Sequence, residues 1–204
     1  MGTRSRLARL RWPDGRGAGD NALVTDRLRP GVFVIVSGPP ASGKTTLSRA
    51  IAPALGLPLI AKDTIKQALM TVLPVPDVAA SRVVGRASVA ALLAVAAESG
   101  GAVVESVWHR SHAVDDLRRL PGAVAEVFCR CDPVVAAERY AARAGTRDAG
   151  HFDASRVTGE LWNDEVARPV DGGWPVIEVD TTVVVDMAEL IGAIRAVLRT
   201  DAPR

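Results

Sequence analysis

The stretch Gly38-Pro39-Pro40-Ala41-Ser42-Gly43-Lys44-Thr45 fits the pattern G-x-x-x-x-G-K-[ST], and that pattern dictates what must lie on either side of it. Ahead of it, Val32-Phe33-Val34-Ile35-Val36 is an unbroken apolar run, which suits a strand buried on both faces. Behind it, Leu47, Ile51 and Leu55 recur at helical spacing, with Pro53 weakening the last turn. Strand, glycine-rich turn and helix in this order aim backbone N–H groups and a positive helix end at one anion. Gly38, Pro39, Pro40, Ala41, Ser42, Gly43, Lys44, Thr45 and Thr46 are therefore the candidate residues for binding the phosphates of ATP. Lys44 is placed to reach the β- and γ-phosphates, and the Thr45 hydroxyl to ligate Mg²⁺.

The rest of the chain alternates between strand and helix. Further strands are expected at Pro58-Leu59-Ile60-Ala61, at Ala102-Val103-Val104-Glu105-Ser106-Val107, at Ala123 through Cys129, and at Val176-Ile177-Glu178-Val179. Helices are expected over 63–73, from the cap Asp77 to about Ser99, from the cap Asp132 to about Ala144, and over 187–198. Another helical segment is expected around Leu161 and Trp162. Such alternation calls for a three-layer α/β fold, a five-stranded parallel sheet with helices on both faces. A length of 204 residues suits one domain over residues 31–204. Residues 1–30 read as an extension carrying Arg4, Arg6, Arg9, Arg11 and Arg16, either solvated or in contact with the sheet edge or an anionic partner.

Composition narrows the function. A net charge of +2 and 4% aromatic residues leave little for a nucleic-acid groove. No run of 18 apolar residues occurs, so no membrane span is expected. Cys129 and Cys131 alternate along a strand with no C-x-x-C pair, which reads as two reduced thiols in a cytoplasmic protein. His109, His112 and His151 lack metal-ligand spacing. The N-K-x-D motif expected of a GTPase is missing.

Three segments together resemble a known group. They are Val34 through Leu47, Ala61-Lys62-Asp63-Thr64-Ile65-Lys66, and the Arg-rich stretch 139–147 followed by Gly150-His151-Phe152-Asp153. They resemble the small P-loop kinases of the AAA_33-type domain, a group similar to chloramphenicol phosphotransferase, the kinase domain of polynucleotide kinase and the zeta toxins. The segment Glu105 through Arg110 departs from the commoner Asp-Ala/Gly-Thr ending of the third strand. The resemblance implies an ATP- and Mg²⁺-dependent kinase acting on a hydroxyl of a small molecule or nucleotide. It also implies an Arg-rich helical lid, and a homodimer is left open. A polynucleotide 5′-hydroxyl kinase and an ATP-dependent regulatory switch are the alternatives.

In the kinases this chain resembles, the residue matching Asp63 contacts the acceptor hydroxyl; an Asp here also suits the N-cap of a helix starting at Thr64. Lys66, one turn on, is either an anion ligand or part of a solvated face. Glu105 ends its strand where a Walker-B-like acid would hold Mg²⁺ through water or bind substrate, or else it pairs with Arg110. Trp108 and Trp162 either wall an acceptor pocket or fill the core. Arg139 and Arg143 share a helix face, ahead of Arg147, and are the lid cations placed to meet the transferring phosphoryl group; the competing reading is a surface helix paired with Glu138 and Asp148. Asp180-Thr181-Thr182 is expected to offer mainly backbone contacts near the adenine.

Overall fold

The computed structural model describes residues 31–144 and 162–200. Every residue of β1 (Val32–Ser37) is buried, as an unbroken apolar run demands of a central strand. β1 is followed by α1 (Lys44–Leu55), β2 (Leu59–Ala61), α2 (Lys62–Met70) and α3 (Val78–Glu98). Then come β3 (Gly101–Glu105), α4 (Arg110–Leu117), β4 (Ala123–Arg130), α5 (Pro133–Ala144), β5 (Val176–Asp180) and α6 (Met187–Thr200). The five strands pair in parallel in the order β2-β3-β1-β4-β5. Val36 lies beside Glu105 on one side and Val127 on the other, so the carboxyl ends of β1, β3 and β4 share one edge.

Side chains of β1 alternate between two cores, as period-2 geometry requires. Val32, Val34 and Val36 pack with Leu47, Ile51 and Leu55 of α1 and with Leu190, Ile194 and Leu198 of α6. Phe33 and Ile35 face the opposite way, toward Leu92 and Ala96 of α3 and Ala113 and Leu117 of α4. Each fully buried Leu or Ile contributes about 1.5–3 kcal/mol. Asp77 caps α3 by accepting from the Ala80 N–H at 2.8 Å, and Asp132 caps α5 by accepting from the Val134 N–H at 2.8 Å.

Several expectations are corrected. α2 begins at Lys62, so Asp63 lies in its first turn and Ala61 occupies the cap position without a side-chain bond. β3 stops at Glu105, which leaves Ser106 and Val107 free of the sheet. α4 was not foreseen; its sequence, Arg110 through Leu117, offers Ala113 and Leu117 to the core, with Val114 packed against it. Cys131 falls just past β4, and both cysteines are free and buried. Trp162 stands in a bend, and Leu161 lies outside the described residues. α3, 21 residues long with an 18-residue window of mean hydropathy 1.6, is long and apolar enough to cross a membrane by length and composition. In the fold it buries Val84, Leu92 and Ala96.

One buried carboxylate organises the chain beyond α5. Glu126, in the middle of β4, has no exposed surface. It accepts from the Ser37 hydroxyl at 2.5 Å, the Val170 N–H at 2.8 Å, the Asp171 N–H at 3.0 Å and the Trp174 indole N–H at 3.1 Å. Four donors satisfy both carboxyl oxygens and hold the 170–174 segment against the sheet.

Candidate active site

The phosphate-binding loop is shaped by its glycines and tied down at its far end. Gly38 has φ 133°, and a Cβ there would stand 2.6 Å from the Cys129 carbonyl oxygen, so no larger residue fits. Gly43 takes the left-handed conformation (φ 85°) from which α1 starts. The Ser42 carbonyl just before it accepts from the Thr181 hydroxyl at 2.6 Å, and the same hydroxyl lies 2.8 Å from the Arg130 carbonyl. The side chain of Thr181, expected to matter little, is thus a clamp between the loop and the ends of β4 and β5.

Lys44 is buried and arches back over the loop, its ammonium donating to the Pro39 carbonyl at 2.6 Å. It fronts a concavity of about 220 Å³ lined by Pro40, Ala41, Gly43, Thr45 and Thr46, with Asp63, Glu105 and Arg139 across from them. Arg139 reaches this place from α5 while donating to the Thr181 carbonyl at 3.0 Å and to Cys131 Sγ at 3.4 Å. Arg139 is otherwise exposed. Arg143 lies on the same helix, but its side chain, like Arg147 and Asp148, falls outside the described residues. Pro39 contributes its carbonyl to Lys44, and Ser42 is wholly buried behind the loop.

Thr45 Oγ1 donates to Glu105 Oε2 at 3.2 Å. The alternative pairing of Glu105 with Arg110 does not form: Arg110 Nη1 donates instead to the Pro169 carbonyl at 2.6 Å. Burial pushes the Glu105 carboxyl up from its ordinary range, Lys44 opposes this, and Asp63 adds to it. A hydroxyl and a carboxylate at the loop floor are the hard oxygen donors a magnesium ion takes, and a cation there would relieve the desolvated carboxylate. Among the described residues no cluster of three or more His, Cys, Asp or Glu could hold a metal. Thr45 and Glu105 are thus the residues that would hold such an ion. Behind the loop, burial pushes the Cys129 thiol up to about 12, so it stays protonated and inert.

Asp63 projects from the first turn of α2, about half exposed, with Lys62 Nζ 3.0 Å from its Oδ1. It also lines a second, larger cavity of about 1110 Å³ bounded by α2, α3 and α4. Pro40, Asp63, Ser106 and Val107 line both spaces, so the two adjoin. Lys66 lines the larger cavity and is 1% exposed, its ammonium 2.7 Å from the Ser81 hydroxyl; the solvated-face reading fails. Trp108 is at once a core residue against Phe33 and Ile35 and part of the cavity wall. Trp162 does not line it, but packs edge-on against Tyr140 (centroids 5.1 Å apart), which does. Arg82, Arg86, His109 and His112 also line this cavity, and sequence reasoning missed the first two because they sit inside an otherwise apolar helix. The far wall is braced: Glu165 accepts from the Ser111 N–H at 2.8 Å, and its carbonyl accepts from the Arg110 N–H at 3.2 Å.

Known structures share this architecture. A candidate kinase from Chloroflexus aurantiacus superposes with a TM-score of 0.72 at 28% identity, over 83% of this chain and 99% of that one. A gluconokinase from Sinorhizobium meliloti gives 0.52 at 23% identity, over 84% and 94%. The APS kinase of Mycobacterium tuberculosis, solved with AMPPNP and APS, gives 0.54 at 19% identity, over 83% and 98%. No curated protein sequence matches the chain. The fold is that of the small P-loop kinases. The AAA_33 family, described as an AAA domain, matches residues 33–169, and the chain belongs to that family.

Proposed function

We propose that this protein is an ATP- and Mg²⁺-dependent phosphotransferase that carries the γ-phosphate to a hydroxyl of a small molecule or nucleotide. The observation that supports it best is the meeting of the two spaces at Asp63. A loop concavity suited to phosphates adjoins a cavity large enough for an acceptor, with Asp63 in the wall of both. A nucleotide switch needs the first space and has no use for the second.

In this reading Lys44 and the loop N–H groups hold the β- and γ-phosphates. Asp63 accepts a hydrogen bond from the acceptor hydroxyl, aims its oxygen at the γ-phosphorus, and takes up its proton as the new O–P bond forms and the bond to ADP breaks. Arg139, and Arg143 beyond it on α5, meet the charge on the transferring group. Thr45 and Glu105 would hold magnesium, which would supply neutralisation of phosphate charge. Two buried thiols suit a reducing, cytoplasmic compartment.

A panel of hydroxyl-bearing metabolites and antibiotics, scored by acceptor-dependent ADP release, tests the proposal. At least one acceptor is expected to raise ADP release, and Lys44→Ala to abolish it. ATP binding that alters affinity for a protein partner, with no acceptor phosphorylated, would establish the switch instead.

A further inference from the structure

We propose that Lys62 is a positioning residue for phosphoryl transfer, its ammonium holding the Asp63 carboxylate in place where the two spaces adjoin. This rests on the phosphotransferase reading and adds to that site a residue that acts through Asp63. Lys62 is the first residue of α2 and Asp63 the second. Consecutive residues on a helix do not face each other. Lys62 Nζ nevertheless stands 3.0 Å from Asp63 Oδ1, so the lysine side chain folds back along the helix start to reach its neighbour. It is 22% exposed against 48% for Asp63, so the partner that holds is the more enclosed of the two. Lys62 lines the larger cavity, and Asp63 lines both. The pair therefore stands at the boundary that an acceptor hydroxyl must reach to meet the γ-phosphate.

Stability of the fold does not account for a lysine here. The start of a helix is its positive end, where an acid is favoured and a cation is not. Ala61, at the cap position, makes no side-chain bond that could offset this. A partly exposed ion pair gives back little, because water screens it and two side chains must be ordered. Asp63 suits the first turn of α2; Lys62 works against it. What the lysine supplies is order at the carboxylate. A half-exposed aspartate has several rotamers within reach, and each tie on its carboxylate narrows them. A base displaced by about 1 Å can slow transfer about 10²-fold. With Oδ1 tied to the ammonium, part of that ordering is done before the acceptor arrives. Lys62 does not line the loop concavity, so the nucleotide's own contacts fall to the loop, Lys44 and Arg139.

The test uses the full chain and two substitutions, Lys62→Met, which keeps the length and loses the charge, and Lys62→Arg, which keeps a charged donor. Transfer is read from Mg·ATP to the most active hydroxyl compound of the panel, or to glycerol in large excess where none is active. Lys62→Met is expected to lower kcat about 10- to 100-fold, with the KM for Mg·ATP within about threefold of wild type. Lys62→Arg should recover most of the loss. Melting of Lys62→Met should match or slightly exceed wild type, since a cation leaves the positive end of α2. In an Asp63→Ala background Lys62→Met should cost less than about threefold, because its effect passes through the carboxylate. The full cost persisting there would make Lys62 a direct contact of the substrate, and a melting point lowered along with activity would make it a structural residue. Either result, or an unchanged kcat, overturns the inference. The hold is also read without transfer, from the three-bond couplings that report the Asp63 χ1 angle, with one rotamer expected in wild type and averaging in Lys62→Met. Those couplings without any transfer in wild type uphold the hold and remove the phosphotransferase reading. Transfer with couplings alike in both proteins does the reverse.

Discussion

The Thr181 hydroxyl, just beyond β5, lies 2.6 Å from the Ser42 carbonyl in the phosphate loop and 2.8 Å from the Arg130 carbonyl at the end of β4. With one hydrogen, it is shared between two acceptors, and it is what fastens the loop to the far half of the sheet. Thr181→Val keeps the shape and removes the donor. It is expected to cost about 1–2 kcal/mol in stability and to weaken nucleotide binding several-fold, because a looser loop must be ordered on binding. Thermal melts and a nucleotide titration check this; an unaltered nucleotide affinity would mean that the loop holds its shape without the clamp.

Asp63 separates chemistry from binding. It lies in the first turn of α2 and is not the cap, so Asp63→Asn removes a charge without removing a helix start. Phosphoryl transfer is expected to fall about 10²–10⁴-fold, with Mg·ATP affinity near wild type and melting within a few degrees. Full transfer in the variant would reduce Asp63 to a surface acid, and loss of ATP binding would move it into the nucleotide site.

Glu105 makes stability depend on pH in an unusual direction for a carboxylate. Its folded-state value is raised by burial, so the folded chain holds this proton to higher pH than the unfolded chain does. Its stabilising contribution is complete below the ordinary value of 4.5 and is lost as pH rises through the raised value. Glu105→Gln cannot ionise. In EDTA the variant should melt above wild type at about pH 7, and the gain should vanish toward about pH 4. A constant difference across that range would show that ionisation of Glu105 is not the cause.

Glu126→Gln addresses the buried knot. The amide offers one acceptor oxygen, so its NH₂ must face either the Ser37 and Val170 donors or the Asp171 and Trp174 donors. A loss of about 2–4 kcal/mol is expected, read as a lower urea midpoint at an unchanged slope. An unshifted midpoint would assign the hold on the 170–174 segment to packing alone.

The loop motif and its flanking strand and helix were plain in the sequence because each carries a local pattern: fixed glycines, an apolar run, helical spacing. The same holds for Asp77 and Asp132, whose caps depend on neighbours two or three residues away. What escaped is non-local. α4 presents only Ala113, Val114 and Leu117 to the core, too few for a periodic signal. Glu126 sits in a run read as plain strand, and its donors come from 44 to 89 positions away. Lys66 looks solvated on its own helix; the chain that buries it is α3, arriving later in sequence. The larger cavity belongs to this class, since its walls come from α2, α3, α4, Tyr140 of α5 and the segment after β3, which no local pattern brings together.

The parts of the nucleotide site are scattered along the chain. Thr45 meets Glu105 across 60 positions, and Ser42 meets Thr181 across 139. No fragment short of the closed sheet contains the site, so a partly assembled chain has nothing with which to grip ATP. Whatever binds there draws on the folding equilibrium of the whole sheet, adding about 2.7 kcal/mol when the ligand stands at a hundred times its dissociation constant. Occupancy of the loop by any ligand would thereby report on completion of the fold.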